Sequence, residues 1–235
     1  MNVFKSLVVL CALSASHTLI AKELWSDNSL TLLHGNDYEV GDNKKTVFTG
    51  EHASGHTWGD VFAFVDRLRH HNNDNHETYG EFGANFTLFK PQHDFIKETY
   101  VATQWEFASQ FSQQTNNYLA GVGMNLNVLG TQYLKVNLYR RFNDHGQDNM
   151  QLTLAWSRPF KSGILYDGFI DAISSTSTSS AGFNFTSQLK YDIGQHFSYK
   201  ANKLFAGVEY VFWKNKYGID GITEKNANLL LKWHF

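Results

Sequence analysis

The chain has 235 residues, a formal net charge of -2 and two prolines, and 15% of its residues are aromatic. A near-neutral chain with scattered lysines and arginines lacks the basic surface that nucleic acid requires, so nucleic acid is excluded as a partner. One cysteine, Cys11, excludes a disulfide framework, and the lack of any 18-residue apolar run excludes helical membrane spans.

Met1 to Ala21 carries one cation, Lys5, then an apolar run from Leu7 to Leu13, then the small residues Ser14, Ala15 and Ser16. This is the layout of a secretory signal peptide, too short to span a bilayer. Cleavage is expected after Ala21, with Ser16 as the alternative. Leu10 stands before Cys11 where lipoprotein processing needs a small residue, so Cys11 reads as part of the apolar run. The exported part, 22–235, is then a single domain without cysteine.

Twelve segments beyond it read as strands: roughly 25–34, 45–53, 57–67, 77–89, 96–108, 115–128, 131–142, 148–158, 162–172, 182–193, 203–213 and 225–235. Each is near the 9–11 residues that a tilted strand needs to cross the hydrocarbon layer. A period of two is clearest at Tyr118, Ala120, Val122, Met124; at Met150, Leu152, Leu154, Trp156; and at Leu204, Ala206, Val208, Tyr210, Phe212. The residues between them are mostly polar or glycine. The last strand puts Ala227, Leu229, Leu231, Trp233 and Phe235 on one face and Asn228, Lys232 and His234, with Leu230, on the other. Such alternation predicts an all-β transmembrane antiparallel barrel with lipid outside and a polar lumen. Trp25, Trp105, Trp156, Trp213 and Trp233 fall at or near strand ends, where interfacial girdles are expected.

The links alternate too. From a periplasmic start, every second link should be a tight periplasmic turn, and Pro91 to Phe95, Leu129-Gly130 and Pro159 to Ser162 fall there. The others, such as His34 to Lys44, Arg67 to His76 and Ser174 to Ala181, are longer and polar. Gly194 to Asn202 is long for its side.

The chain resembles a known family through Trp58-x-Asp60-x-Phe62-x-Phe64-x-Asp66, Tyr118-x-x-Gly121-x-Gly123, Asn137-x-Tyr139, Trp156-x-x-Pro159-Phe160 and Gly168-Phe169-x-Asp171, in order over nearly the whole exported part. It is similar to the Tsx-like nucleoside-specific channel-forming outer-membrane proteins, which include the OmpK-type proteins. The resemblance implies a monomeric twelve-stranded barrel in the outer membrane of a Gram-negative bacterium, passive uptake of nucleosides, and no cofactor. It makes terminal Phe235 the element read by the barrel-assembly machinery, outer-membrane lipids the surrounding partner, and phage or colicin a further partner of some members. The chain is shorter than the enteric channel, mainly in its outer loops.

Asp60, Phe62, Phe64 and Asp66 share one strand face, and carboxylates facing acyl chains are costly, so this face should be luminal. Aromatic rings inside a wet lumen suit a nucleobase path, since stacking of a base is worth ~1–3 kcal/mol in single-strand-binding proteins. Carboxylates accept hydrogen bonds from ribose hydroxyls. The candidate solute path is Glu51, Trp58, Asp60, Phe62, Phe64, Asp66, Glu81, Tyr100 and Tyr139. The other reading of the Phe pair is a plug that fills the lumen.

His70, His71, Asp74 and His76 have no fixed ligand spacing and read as a solvated loop, not a metal site. Ser54, between His52 and His56, is expected in a turn, has no G-x-S-x-G setting and has no orienting carboxylate beyond Glu51, so no enzyme activity is expected. A receptor or structural barrel without selective transport, and a barrel enzyme, stand as the alternatives to a channel.

Overall fold

A computed structural model describes residues 22–92, 94–110 and 113–235. The expected signal peptide, 1–21, lies outside the described residues. Twelve antiparallel strands follow in chain order: β1 (Glu23–Gly35), β2 (Lys45–His56), β3 (Gly59–His70), β4 (His76–Phe89), β5 (Ile96–Gln110), β6 (Gln113–Leu126), β7 (Tyr133–Phe142), β8 (Asn149–Pro159), β9 (Ile164–Ile173), β10 (Gly182–Asp192), β11 (Leu204–Lys214) and β12 (Thr223–His234). Each pairs with its chain neighbours and β1 closes on β12, with Ser29 opposite His234 and His34 opposite Leu229. Closure leaves no strand edge to be satisfied by lipid.

The phase is set by β12. Glu224, Asn226, Asn228, Leu230 and Lys232 are buried, whereas Ala227, Leu229, Leu231 and Trp233 are exposed. Cross-strand register carries this alternation around the barrel, so Leu30, Phe82, Phe86, Trp105, Val122, Leu138, Leu152, Leu189 and Val208 lie on the outer face with them. Each such Leu or Phe fully transferred from water gains roughly 1.5–3 kcal/mol.

Both ends of the described chain lie at one rim, here the near rim; the longer polar links lie at the far rim. The near-rim turns include Thr57-Trp58, which leads into Gly59, and Gly130, with φ of 151° and 84° at the two glycines. A left-handed φ favours glycine at both. A Cβ on Gly59 would also lie 1.8 Å from the Asn85 carbonyl oxygen.

Two features depart from the expected layout. Strand β2 runs on to His56, so Ser54 lies in a strand and not in a turn. Trp25 and Trp213 do not join an outer girdle, because both carry the luminal phase. Trp25 packs over Gly55, where a Cβ would sit 2.1 Å from its Nε1, and Trp213 lies 4.8 Å under the Lys216 ammonium. Beyond the apolar band a strand end no longer faces lipid, so its tryptophan packs on the barrel instead.

Gly123 seats the Tyr100 ring: a Cβ there would lie 2.2 Å from that ring and 2.2 Å from the Asn137 amide oxygen. Gly50, on the outer face, meets nothing nearer than Leu30 at 3.9 Å. Gly123→Val is therefore expected to abolish the compact, fast-migrating form of the unheated barrel on a gel, while Gly50→Ala retains it. Equal behaviour of the two variants would contradict this packing.

Candidate functional site

The lumen gathers most of the residues singled out by the sequence. Lys135 on β7 reaches across to Asp60 on β3, with Nζ 2.6 Å from Oδ1, which fixes the inward phase of β3. Phe62, Phe64 and Asp66 therefore face inward with Asp60, opposite Gly83, Glu81 and Tyr79 of β4. Glu51 also faces inward and pairs with Lys232 of β12, accepting a hydrogen bond from Ser29 at 3.0 Å.

Charges in this wall fall into two groups. Arg141 holds Glu106 with two hydrogen bonds of 2.7 and 2.8 Å, and Lys190 holds Asp167 at 2.7 Å, so these carboxylates are neutralised in place. Asp66, Glu81, Asp171 and Glu209 are held by neutral donors instead. Thr49 donates to Asp66 at 2.6 Å, and Tyr79 and Gln104 donate to Glu81 at 2.5 and 2.9 Å. Thr153 and Gln151 donate to Asp171 at 2.5 and 3.0 Å; Gln188 and Asn228 donate to Glu209 at 2.8 and 3.0 Å. A passing cation or hydroxyl donor meets free acceptor lone pairs here.

Beside these acceptors runs an aromatic track. The rings of Phe62 and Phe64 are 6.0 Å apart, and those of Phe64 and Tyr79 are 5.8 Å apart. Phe62 is 43% exposed although it points inward, so the lumen is open at its level.

Three expected path residues take other roles. Tyr100 and Tyr139 face inward but are 1% and 2% exposed, packed with Ala102 and Leu119. Asn137 joins their hydroxyls, accepting from Tyr100 at 2.8 Å and donating to Tyr139 at 3.0 Å. They fill the wall behind the Asp60–Lys135 bridge and offer no face to a solute. Trp58 is not luminal: it stacks on His56 at 5.0 Å and on Phe86 at 5.1 Å, and Phe86 lies on the outer face. Its place in the Thr57-Trp58 turn turns the ring out to the near rim. His70 and His71 diverge, the first to Glu77 at 2.6 Å in the lumen and the second to Thr46 at 2.8 Å outside.

The sequence reading missed the far mouth. The β1–β2 link folds inward over it, and Tyr38 donates to Asn228 Oδ1 at 2.9 Å. The Asp37 and Glu39 amides donate to Asn226 and Glu224 at 3.2 and 3.0 Å. Lys45 and Lys216 lie 5.2 and 5.9 Å from the Tyr38 ring, and Lys216 is also paired with Glu224 at 2.6 Å. Burial, with Glu209 and Glu224 nearby, pushes the Tyr38 hydroxyl well above its ordinary range, so it remains a donor. Asp42 anchors the link. Burial alone would raise its carboxyl, but hydrogen bonds from the backbone of Lys44, Asn72 and His71 and from the Asn72 amide hold it down at about 2. The only sequence sign was a lone tyrosine inside a polar link.

No protein-family model and no curated protein matches the chain. Among solved structures it is similar to the KdgM porin, with a TM-score of 0.52 and 12% identity over 90% of this chain and 99% of that one. The KdgM porin in complex with disordered oligogalacturonate gives a TM-score of 0.53 at 11% identity, with the same coverage. The fold is thus that of a porin-type outer-membrane barrel.

The link is held over the far mouth by the Tyr38 hydroxyl on Asn228 and by the two backbone amides that flank it, on Asn226 and Glu224. Tyr38→Ala is expected to raise conductance in a planar bilayer severalfold over the unmodified protein. An unchanged conductance would mean that the link does not restrict the path.

Proposed function

We propose that the protein is an outer-membrane channel for small polar solutes, and that nucleosides are its preferred class, as the Tsx-like resemblance implies. The observation that carries this reading is the track of Phe62, Phe64 and Tyr79 beside the carboxylates of Asp66 and Glu81, which are held by the neutral donors Thr49, Tyr79 and Gln104. A base stacks on the rings while ribose hydroxyls donate to the carboxylates. Weak, serial contacts are what passage requires, since a tight site would release its solute slowly. Likeness to porins supports a conduit over a solid barrel.

Oligogalacturonate, which accompanies one of the similar porins, is anionic. Asp66, Glu81, Asp171 and Glu209 oppose an anion of that kind, so acidic oligosaccharides are disfavoured here. The inward-folded β1–β2 link favours a second reading, a receptor barrel with little conduction, in which the far-rim loops meet phage or colicin. In either reading the barrel is a monomer in outer-membrane lipid, assembled through Phe235.

Liposome swelling with adenosine or thymidine against a pentose or hexose tests the proposal. Nucleosides should enter faster, and Phe62→Ala with Phe64→Ala should remove that preference while leaving ion conductance intact or larger. Equal entry of nucleoside and sugar through the unmodified protein would leave a general porin or the receptor reading.

A further inference from the structure

The outer face carries a polar chain where the barrel otherwise shows apolar groups. Asn28 of β1 lies directly opposite His52 of β2, and Asn28, His52, Ser54 and His56 share the outer phase. His52 Nδ1 is 2.9 Å from Asn28 Oδ1, His52 Nε2 is 3.0 Å from Ser54 Oγ, and Ser54 Oγ is 3.0 Å from His56 Nε2.

The direction of each hydrogen bond follows from one orphan atom. His56 Nδ1 is buried without a partner. A buried N–H with no acceptor is costlier to leave than a bare lone pair, so the His56 proton sits on Nε2 and is donated to Ser54 Oγ. Ser54 then donates to His52 Nε2, and His52 donates from Nδ1 to Asn28. This is the arrangement of nucleophile, base and orienting group that acyl transfer requires, with an amide in the orienting place. The sequence had offered no orienting carboxylate, and pairing across β1 and β2 supplies the carbonyl of Asn28 instead.

The position defines the substrate class. Phe235 donates its backbone N–H to the Asn28 carbonyl at 3.0 Å, so the chain starts where the lipid-facing row of β12 ends. Trp233 and Phe235, with rings 5.1 Å apart, form an aromatic pair at that level, and such pairs mark the interface where lipid ester groups meet the apolar band. On the same face, next to His52 and toward the lipid, Gly50 leaves a notch bounded by Leu30 at 3.9 Å, room for an acyl chain.

We propose that Asn28, His52 and Ser54 form an esterase site on the outer wall that cleaves an acyl ester of a glycerophospholipid. Ser54 Oγ attacks the ester carbonyl carbon as its proton passes to His52 Nε2. The bond from that carbon to the glycerol oxygen breaks, and His52 returns the proton to the departing alcohol. Water then attacks the acyl-serine, giving a proton to His52, and fatty acid leaves as Ser54 regains its hydrogen. Asn28 is a positioning residue that keeps the His52 proton on Nδ1. Ser54 is 2% exposed, with its hydroxyl bonded to His52 on one side and His56 on the other, so the ester enters when the stacked His56 and Trp58 rings turn aside together.

The test uses the purified, folded barrel in detergent with a dodecyl fluorophosphonate, which forms a serine–phosphorus bond and expels fluoride. Mass spectrometry locates the adduct, and release of fatty acid from phosphatidylethanolamine is followed in parallel. Heat-modifiable migration confirms the fold of every variant. The adduct is expected on Ser54, absent in Ser54→Ala, and slowed by about 10²-fold or more in His52→Ala, the usual size of a general-base contribution. Asn28→Ala should slow it and Asn28→Asp should restore it, whereas His56→Ala should retain it. An unlabelled Ser54 in the folded protein, labelling that survives His52→Ala, or intact phospholipid overturns the proposal.

Discussion

Inside hydrocarbon there is no water to satisfy an open strand edge, so the pairing of β1 with β12 is the constraint on which everything else depends. Once that seam is made, the alternation of β12 is transmitted through every neighbouring register and no strand can slip alone. A shift by one residue would put Lys232 and Asn228 into lipid and Leu229 and Leu231 into the lumen. The lumen chemistry is in this sense a consequence of closure.

Closure also concentrates charge. Seven acidic groups, three of them with basic partners, are drawn onto the inner wall, and desolvated charges are tolerated only when paired or well hydrogen-bonded. Arg141 with Glu106, Lys190 with Asp167, and Lys135 with Asp60 meet the first condition. Asp66, Glu81, Asp171 and Glu209 meet only the second, through hydroxyl and amide donors. Those same four carboxylates keep acceptor capacity for a solute, which links the stability of the wall to what it lets through.

Much of the architecture was legible because a barrel writes its period into each strand. The alternation of Tyr118, Ala120, Val122 and Met124, and that of Leu229, Leu231 and Trp233, carries both the strand and its phase. The inward placing of Asp60, Phe62, Phe64 and Asp66 follows from the cost of a carboxylate in lipid. What period cannot report is depth and company. Tyr100 and Tyr139 have the inward phase yet are buried against Leu119, a contact set by curvature and by the space over Gly123. Trp58 lies in a turn, where phase lapses. Tyr38 reaches Asn228 from a link 190 residues away in sequence, and Asn28 reaches His52 through pairing of β1 with β2, so neither contact leaves a local trace.

The central claim is that a lumen lined by carboxylates held through neutral donors forms a conducting path. Its most direct test is the reversal potential of the unmodified protein in a planar bilayer under a potassium chloride gradient. Four such carboxylates in the lumen should make potassium more permeant than chloride. A preference for chloride, or a barrel that passes no current under any polarity, would contradict the account.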